Sequence, residues 1–361
     1  DLHSFPTRRS SDLHIATPYR DHVAQARAHA LSHDAEAFFR SKLGDVDEPT
    51  APFGLVDVRG DGSRVEESQE ALDIEFAKRV RSHARRLGIS AATLFHAAWA
   101  LLVANTSGRE DVVFGTILLG RMQGAAGAQG VLGMFINTLP LRVGLRGLSA
   151  RELVERTRHE LIELLSHEQA SLAVAQRCSG IGGSAPLFSA VLNYVHGTPR
   201  LDSEQRRMGS GVEILERREW TNYPIVMTVE DRPETFVLIA QTDRHVDPRR
   251  LTAYLRTAMQ SLVDALECAP QTPALKLSLL PENERHRVIN EFNATQRVYP
   301  HERSIKELFE ERVRQAPNAP AVMYDTQALT YTELNRYANQ FARYLCEKGV
   351  RPLYGDRKSV V

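Results

Sequence analysis

Cysteine is scarce in this sequence. Only three cysteines occur among 361 residues, Cys178, Cys268 and Cys346, and no Cys-x-x-Cys pair is present. An odd number of widely separated cysteines argues against a disulfide framework and offers no zinc-ligand spacing. We therefore expect a protein of the reducing cytoplasm.

The sequence also lacks net charge and long apolar runs. Its 45 basic residues balance its 45 acidic residues, so no overall field attracts nucleic acid or an anionic membrane. No apolar run approaches the roughly 20 residues of a membrane-spanning helix. We expect neither a nucleic-acid partner nor a membrane partner. The length predicts about two or three domains.

Several short catalytic motifs are missing. His167-Glu168 has no second histidine four residues on, so the H-E-x-x-H zinc motif is absent and we predict no metal site. A position at a helix C-terminus accounts for His167. The Gly-rich segment 120–130 does not end in Gly-Lys-Ser/Thr and is predicted to be a surface loop. No G-x-S-x-G nucleophile turn occurs.

The two ends of the sequence are related at the DNA level. One codon spelling of Asp356–Val361 plus a stop codon has a reverse complement that, in another frame, encodes Thr-Arg-Arg-Ser-Ser-Asp, the residues at 7–12. Both ends therefore resemble translated sequencing-adapter DNA. We predict that residues 1–13 and 356–361 are adapter-derived, and we exclude them from the fold.

Hydrophobic periodicity predicts a mixture of helices and strands. Helices are predicted over 17–43, from Asp73 to Gly88, from Ser90 onward, from Ser149 onward, and from Asp247 to about 267. Strands are predicted at 111–120, 134–143, 187–196, 211–219, 223–230 and 235–243. Mixed elements without strict alternation favour an α/β fold, or an α+β sandwich.

One predicted helix carries a cluster of four arginines. The cluster comprises Arg79, Arg81, Arg85 and Arg86. We predict a solvated face, with a contact to an acidic partner protein as the alternative.

The C-terminal part of the sequence differs in composition from the part before it. Residues 270–303 are rich in proline and polar residues, as in an ordered linker. Capping boxes at Ser304-Glu307 and Thr330-Glu333 then predict two helices, with a strand and a turn at Asp325 between them. About fifty residues are few for an independent domain, so we predict that 304–355 begins a larger one.

At VLGMFINTLPLRV (131–143) the sequence resembles the Gly-x-Phe-x-Asn-Thr motif of condensation domains in nonribosomal peptide synthetases. Segments 17–29, 167–176, 185–194 and 221–225 resemble other parts of that family, in its order. LSLLPENERHRVINEFNATQRVYP and ALTYTELNRYANQFARYLCEKGV resemble the junction to the next adenylation domain and that domain's first motif and helix. The resemblance covers about residues 14–352.

The resemblance implies a fold and a domain order. Residues 14–269 are expected to be the C-terminal lobe of a chloramphenicol-acetyltransferase-like condensation fold. Residues 270–303 are expected to be the linker, and 304–355 the first elements of an adenylate-forming (AMP-binding) domain.

The resemblance also implies chemistry. In the family, an amine on one carrier protein attacks a thioester on another, and both substrates are tethered by phosphopantetheine. The adenylation domain activates an amino acid with ATP and Mg²⁺. Carrier domains and the adjacent adenylation domain are therefore the expected partners.

The family's catalytic motif, His-His-x-x-x-Asp-Gly, is absent from this sequence. There is no His-His pair, and the only Asp-Gly, Asp61-Gly62, lies in a predicted loop. The motif is expected upstream of His14, so we predict a fragment that is inactive alone and binds no cofactor. The alternative is a non-catalytic carrier-binding or docking module that never had the histidine.

The resemblance supplies two sets of candidate site residues. The candidates for the substrate tunnel are Gly133, Phe135, Asn137, Thr138, Asn193, Asn222 and Tyr223. The structural residues of the adenylation first motif are Leu329, Thr330, Tyr331, Glu333 and Leu334. Asn137 is expected to be buried, either near the tunnel or as a structural amide that bridges two strands.

Overall fold

The computed structural model of the chain describes residues 18–32, 34–58, 65–119, 133–183, 185–196, 221–297 and 303–350. The predicted strand 211–219, the loop 120–130 and both predicted adapter-derived ends lie outside these residues. The chain divides into two compact units between Arg287 and Val288. This division falls inside the predicted linker.

The first unit contains eight described α-helices and six described strands. The helices are α1 (Tyr19–Ser32), α2 (Ala35–Leu43), α3 (Ile74–Leu87), α4 (Ala91–Ser107), α5 (Ala150–Leu165), α6 (Leu172–Arg177), α7 (Pro248–Cys268) and α8 (Glu282–His286). The strands are β1 (Val65–Ala71), β2 (Asp111–Leu118), β3 (Asn137–Gly144), β4 (Ala190–His196), β5 (Ile225–Asp231) and β6 (Phe236–Asp243).

The six strands form one mixed sheet in the order β1-β6-β5-β4-β2-β3. Strand β4 runs parallel to both β2 and β5, whereas the other neighbours are antiparallel. Strand β2, which lies between β4 and β3, is buried along most of its length, as its continuous apolar run predicts. The predicted α/β class is confirmed.

Helix α4 lies at the centre of the core. Ser90 caps its first turn, and Gly88 and Gly108 end α3 and α4 in the left-handed conformation. Residues 93–104 of α4 are all buried, because α4 packs on β2, β4, α5 and α7 at once. A helix that is apolar on all sides needs this many neighbours.

The single helix predicted over 17–43 is wrong. The structure has two helices, since α1 ends at Ser32 and Asp34 caps α2. The Asp34 carboxylate accepts the Ala37 N–H at 2.9 Å, which satisfies a donor that a continuous helix would use internally. The predicted N-cap, Thr17, lies outside the described residues.

The prediction of a solvated arginine face on α3 is wrong for two of its four members. Arg79 donates to Asp264 at 2.6 Å and to Glu267 at 2.7 Å, and so joins α3 to α7. Arg81 donates to Asp231 at 2.8 Å at the end of β5. Both side chains therefore bind elements that are distant in sequence.

The first part of the predicted linker belongs to the first unit. Ala150 N–H donates to Thr272 O at 2.8 Å, and Ala274 N–H donates to Leu148 O at 2.8 Å. Farther on, the Tyr254 hydroxyl of α7 donates to Glu284 of α8 at 2.8 Å. These contacts hold residues 270–286 against the first unit.

The second unit contains α9 (Ile305–Gln315), β7 (Pro320–Tyr324), β8 (Gln327–Thr330) and α10 (Tyr331–Glu347). Both predicted capping boxes are present, at Ser304-Glu307 and Thr330-Glu333. Asp325 adopts a φ of 52° in the turn between the strands. No residue from 303 to 350 is buried.

The adenylation-motif candidates lie where β8 joins α10. Leu329 and Thr330 end the strand, and Tyr331, Glu333 and Leu334 fall in the first turn of the helix. The Glu333 carboxylate accepts the Thr330 N–H at 2.9 Å. Thr330 and Glu333 therefore form the capping box that begins α10.

No single described helix is both long and apolar enough to cross a bilayer. Helices α3 and α4 pass such a test only as a pair, across a bend of 106°.

Candidate substrate-binding face

The two faces of the sheet differ in what covers them. Successive side chains of a strand point to opposite faces. Helices α4, α5 and α7 pack on one face, where Leu139, Leu192 and Met227 are fully buried. The opposite face carries the alternate residues, several of which are only half-buried. This half-exposed face is the candidate site.

A row of small polar side chains crosses this face. Thr138 of β3 pairs with Ile117 of β2, and Asn193 of β4 pairs with Thr228 of β5. In the parallel pair of β2 and β4, Thr116 lies opposite Leu192. The next residues of the two strands, Ile117 and Asn193, therefore also lie beside each other. The polar row of Thr138, Asn193 and Thr228 therefore spans four adjacent strands.

The polar row contains no ionisable group. Its side chains offer one amide and two hydroxyls, and the Asn193 amide nitrogen lies 3.5 Å from the Thr228 hydroxyl oxygen. At that distance the amide remains available to a ligand. The row can donate and accept hydrogen bonds, but it cannot exchange a proton near neutral pH.

An aromatic pair closes one end of the face. The Phe188 ring lies over Gly115, where an added Cβ would be 2.5 Å from the ring. Phe188 stacks on Tyr223 with ring centroids 5.7 Å apart. Burial raises the pKa of the Tyr223 hydroxyl above its usual value. Gly115 is required here because only glycine leaves room for the ring.

Tyr223 and Asn222 line a cavity of about 250 Å³ beside this pair. The Asn222 amide donates to Val58 O at 2.9 Å. Gln176 supports the cavity wall, because its amide donates to Ala185 O at 3.1 Å and accepts the Leu187 N–H at 3.0 Å. The cavity thus joins three segments that resemble family motifs: 167–176, 185–194 and 221–225.

Asn137 lies on the helix-covered side and not in the polar row. Its side chain was expected to be buried, but it is half-buried. Its amide donates to Glu168 O at 2.9 Å and to Ala170 O at 2.7 Å. Asn137 therefore ties the start of β3 to the turn after α5, and it does not bridge two strands as the structural alternative assumed.

Gly133 and Phe135 form a separate contact with α1. The Tyr19 hydroxyl donates to Met134 O at 2.5 Å, and its ring meets Phe135 edge-on at 5.4 Å. A Cβ on Gly133 would lie 2.2 Å from the Tyr19 ring. These residues dock α1 onto the segment before β3, so the tunnel candidates fall into four groups and not one.

Thr50 is a part of this region that the sequence did not predict. Its hydroxyl accepts the Val113 N–H at 3.0 Å, and its backbone pairs with Leu187 and Ser189. Thr50 thereby fills the gap between β2 and β4 before those strands meet. A threonine in a loop of turn formers gives no signal of this role.

The described histidines show no catalytic pair. His96 is fully buried, its Nδ1 lies 2.7 Å from Ala92 O, and its Nε2 lies 2.8 Å from the Thr116 hydroxyl. Burial lowers its pKa to about 4 despite the Ala92 contact, so His96 is a neutral core residue. His167 stacks on Phe38 at 3.9 Å just after α5, as its predicted position implies.

One cluster has the spacing of a metal site. Ligand atoms of His159, Glu160 and Glu163 lie within 4.8 Å of one another. The Lys42 ammonium lies 2.5 Å from Glu160 and 2.6 Å from Glu163. The carboxylates therefore bind a lysine of α2, and the cluster joins α2 to α5.

Comparison with known proteins identifies relatives among peptide synthetases. The chain is 43% identical over 344 residues to malpibaldin synthetase of Mortierella alpina, covering 95% of the chain and 6% of that protein. It is 32% identical over 326 residues to a linear gramicidin synthase of Brevibacillus parabrevis, covering 88% of the chain and 4% of that protein. The chain thus spans less than a tenth of either relative.

Solved structures share the fold. The holo form of AB3403, a four-domain nonribosomal peptide synthetase bound to AMP and glycine, aligns with a TM-score of 0.69 at 12% identity, covering 88% of this chain and 25% of that one. The first condensation domain of the CDA synthetase aligns with a TM-score of 0.59 at 20% identity, covering 76% and 60%. The sequence profile of the Condensation domain matches residues 6–288. This chain therefore belongs to the condensation-domain family.

Proposed function

We propose that the chain is part of a modular nonribosomal peptide synthetase, in which its condensation domain joins two carrier-bound acyl groups by a peptide bond. In this reaction the acceptor amine attacks the carbonyl carbon of the donor thioester. A C–N bond forms, the C–S bond breaks, the carrier thiol leaves, and the amine must lose a proton. The family match and the relatives named as synthetases support this assignment.

The observation that carries the proposal is the polar row on the half-exposed face. Thr138, Asn193 and Thr228 can hydrogen-bond the amide and thioester groups of an extended substrate arm. Because the row has no group that titrates near neutral pH, it positions substrates and does not accept the proton. The proposed base is the family's His-His-x-x-x-Asp-Gly motif, which this sequence does not contain.

The carriers' phosphopantetheine arms supply the thioesters in this proposal, so carrier domains are the partners. Residues 304–355 are proposed to begin an adenylation domain that uses ATP and Mg²⁺. Support comes from the capped β8–α10 junction at Thr330 and Glu333. These residues stabilise a helix end and offer no phosphate cradle, so we derive no step through ATP. The free cysteines suit a cytoplasmic enzyme.

The first test uses the parent protein with its upstream segment and two loaded carriers. Asn193→Ala is expected to lower kcat for peptide formation about tenfold or more, with little change in the KM for either carrier, because a positioning amide acts in the transition state. Asn105→Ala is the matched control, because the one described hydrogen bond of the Asn105 amide is its donation to Leu101 O at the end of α4. Full activity of Asn193→Ala would place the site elsewhere.

The second test uses the 361-residue chain alone with the same carriers. No peptide is expected, because the chain supplies no catalytic histidine pair. Measurable product would contradict the proposed inactivity of the fragment. If the parent protein binds carriers but also makes no peptide, the docking-module alternative replaces the proposal.

A further inference from the structure

Three arginines line a cavity on the helix-covered face of the sheet, at the ends of two interior strands. The cavity measures about 420 Å³ and lies where the second half of α3 and the start of α4 meet the ends of β4 and β5. Its polar lining consists of Arg81, Arg85, His196, Asp231 and Arg232. We name this site the arginine cavity. Its volume falls in the range of about 300–1,000 Å³ of small-ligand sites.

The arginine cavity is separate from the polar row. His196 and Asp231, which line it, alternate along β4 and β5 with residues of the other face such as Asn193 and Glu230. Their side chains therefore point to the helix-covered face, whereas Asn193 points to the other face. The cavity is thus not a part of the candidate substrate-binding face.

The negative charge of the one carboxylate in the lining, Asp231, is already compensated by its neighbours. Arg81 donates to Asp231 Oδ1 at 2.8 Å, while the Tyr194 hydroxyl and His196 Nδ1 lie 2.8 and 2.9 Å from Oδ2. Burial alone would raise the pKa of Asp231, but these hydrogen bonds hold it below its usual value. The carboxylate is therefore ionised and internally paired.

Two of the guanidinium groups are held in place by hydrogen bonds and still have N–H donors that no described residue uses. Arg81 uses Nη2 for its bonds to Asp231 and Arg232 O, and its guanidinium lies 4.3 Å from the Phe236 ring centroid. Arg232 uses Nε and Nη2 to bind Glu230. Among the described residues, Arg81 Nη1 and Arg232 Nη1 have no acceptor. Both guanidinium groups are therefore ordered before any ligand binds.

Arg85 supplies the excess charge. It is exposed, and within the described part of the chain it forms no ion pair or hydrogen bond. The first residue of α4, Ala91, also lines the cavity, so the partial positive charge of that helix end adds to the field. Because Arg81 is paired with Asp231 and Arg232 with Glu230, Arg85 supplies the one guanidinium charge of the lining that no described carboxylate offsets.

We propose that the arginine cavity binds a phosphate group. Planar guanidinium forks match the oxygens of phosphate, and pre-ordered forks lose little entropy on binding. The phosphate can belong to a small free ester or to the phosphodiester of a carrier's prosthetic arm, and the two share the recognised oxyanion. The site does not depend on the proposed peptide-bond chemistry.

The test is a titration of the 361-residue chain with inorganic phosphate, 4′-phosphopantetheine and pantetheine, followed by NMR of arginine side-chain resonances. Both phosphate-containing probes are expected to shift arginine signals, and pantetheine, which differs from its partner only by the phosphate, is expected to leave them unchanged. Equal affinity for the two phosphates indicates a site for small esters. Tighter binding of phosphopantetheine indicates the prosthetic arm.

Arg85→Ala is expected to weaken phosphate binding about tenfold, the effect of losing one charge-assisted hydrogen bond, and Arg85→Glu to abolish it. The control is Arg151→Ala, because Arg151 is an exposed arginine of α5 outside the cavity. Since Arg85 is exposed, both Arg85 variants are expected to keep the parent melting temperature. Unchanged phosphate affinity in Arg85→Ala, or pantetheine binding equal to that of phosphopantetheine, overturns the proposal.

Discussion

The two compact units build their helices in the same way but differ in what they bury. Residues of α4 such as Phe95 and Leu101 are fully buried in the first unit. In the second unit no described residue is buried, and α10 exposes Phe341 to 62%. Yet α5, α9 and α10 all begin with a complete capping box. Local signals therefore form a helix in either unit, whereas among the described residues a buried core is found in the first unit alone.

The largest expected effect contrasts an apolar truncation in each unit. Leu101→Ala should lower the free energy of unfolding by about 2–5 kcal/mol, because it leaves a cavity in the core. Phe341→Ala should change it by less than about 0.5 kcal/mol, because the ring is already exposed. Urea unfolding followed by circular dichroism measures both. Equal losses would mean that α10 is buried in solution.

The next effect is a pH dependence confined to the first unit. The pKa of His96 in the folded chain is about 4, below its ordinary value of 6.5. Between pH 6.5 and pH 4 the unfolded chain therefore binds a proton at His96 that the folded chain does not bind. Stability is therefore complete above pH 6.5 and falls by about 3 kcal/mol as the pH drops to 4.

His96→Gln is the matched variant, because it keeps a hydrogen-bonding side chain and removes the titration. Urea midpoints measured between pH 7 and pH 4 should fall more steeply for the parent chain than for His96→Gln. Identical slopes would show that His96 is not the group responsible.

A smaller effect compares the capping boxes. Ser149→Ala should lower the stability of the first unit by about 1 kcal/mol, because Ser149 accepts the Glu152 N–H. Ser304→Ala removes the same bond in the second unit. There it should increase amide hydrogen exchange in the first turn of α9 without moving the main unfolding transition. A shift of that transition would show that the two units unfold together.

The smallest effect compares ion pairs. Arg79→Ala removes the bridge from α3 to α7, and Lys306→Ala removes a pair with Glu310 within α9. Exposed pairs contribute about 0–1 kcal/mol, so each variant should lose no more than this. The difference in free energy of unfolding between each variant and the parent chain should vanish in 1 M salt. A loss that survives high salt would indicate packing by the Arg79 side chain.

Helix ends, buried strands and the turn at Asp325 were predictable because their causes are local. A capping box needs only residues three apart, and a strand buried on both faces needs a continuous apolar run. The element β1 was not predicted, because five of the seven residues in VEESQEA are polar or charged. It forms a strand only because β6 supplies hydrogen-bond partners along its full length.

The candidate site was predicted less completely than the fold. The family resemblance selected Thr138 and Asn193, but it did not place them in one row, nor did it select Thr228. It also grouped Asn137 with the tunnel, although strand alternation turns its amide toward the helices. Whether two polar residues share a face depends on the register between strands, which no single segment specifies.

Sequence alone determined the family, the α/β class, the caps of the helices and the absence of the catalytic histidine pair, because each is a property of short segments or their order. Tertiary structure decided the break before Asp34, the bridges made by Arg79 and Arg81, and the division of the tunnel candidates. It also brought Arg81, Arg85 and Arg232 to one cavity, since these contacts join residues about 150 positions apart that only the packed sheet and helices place together.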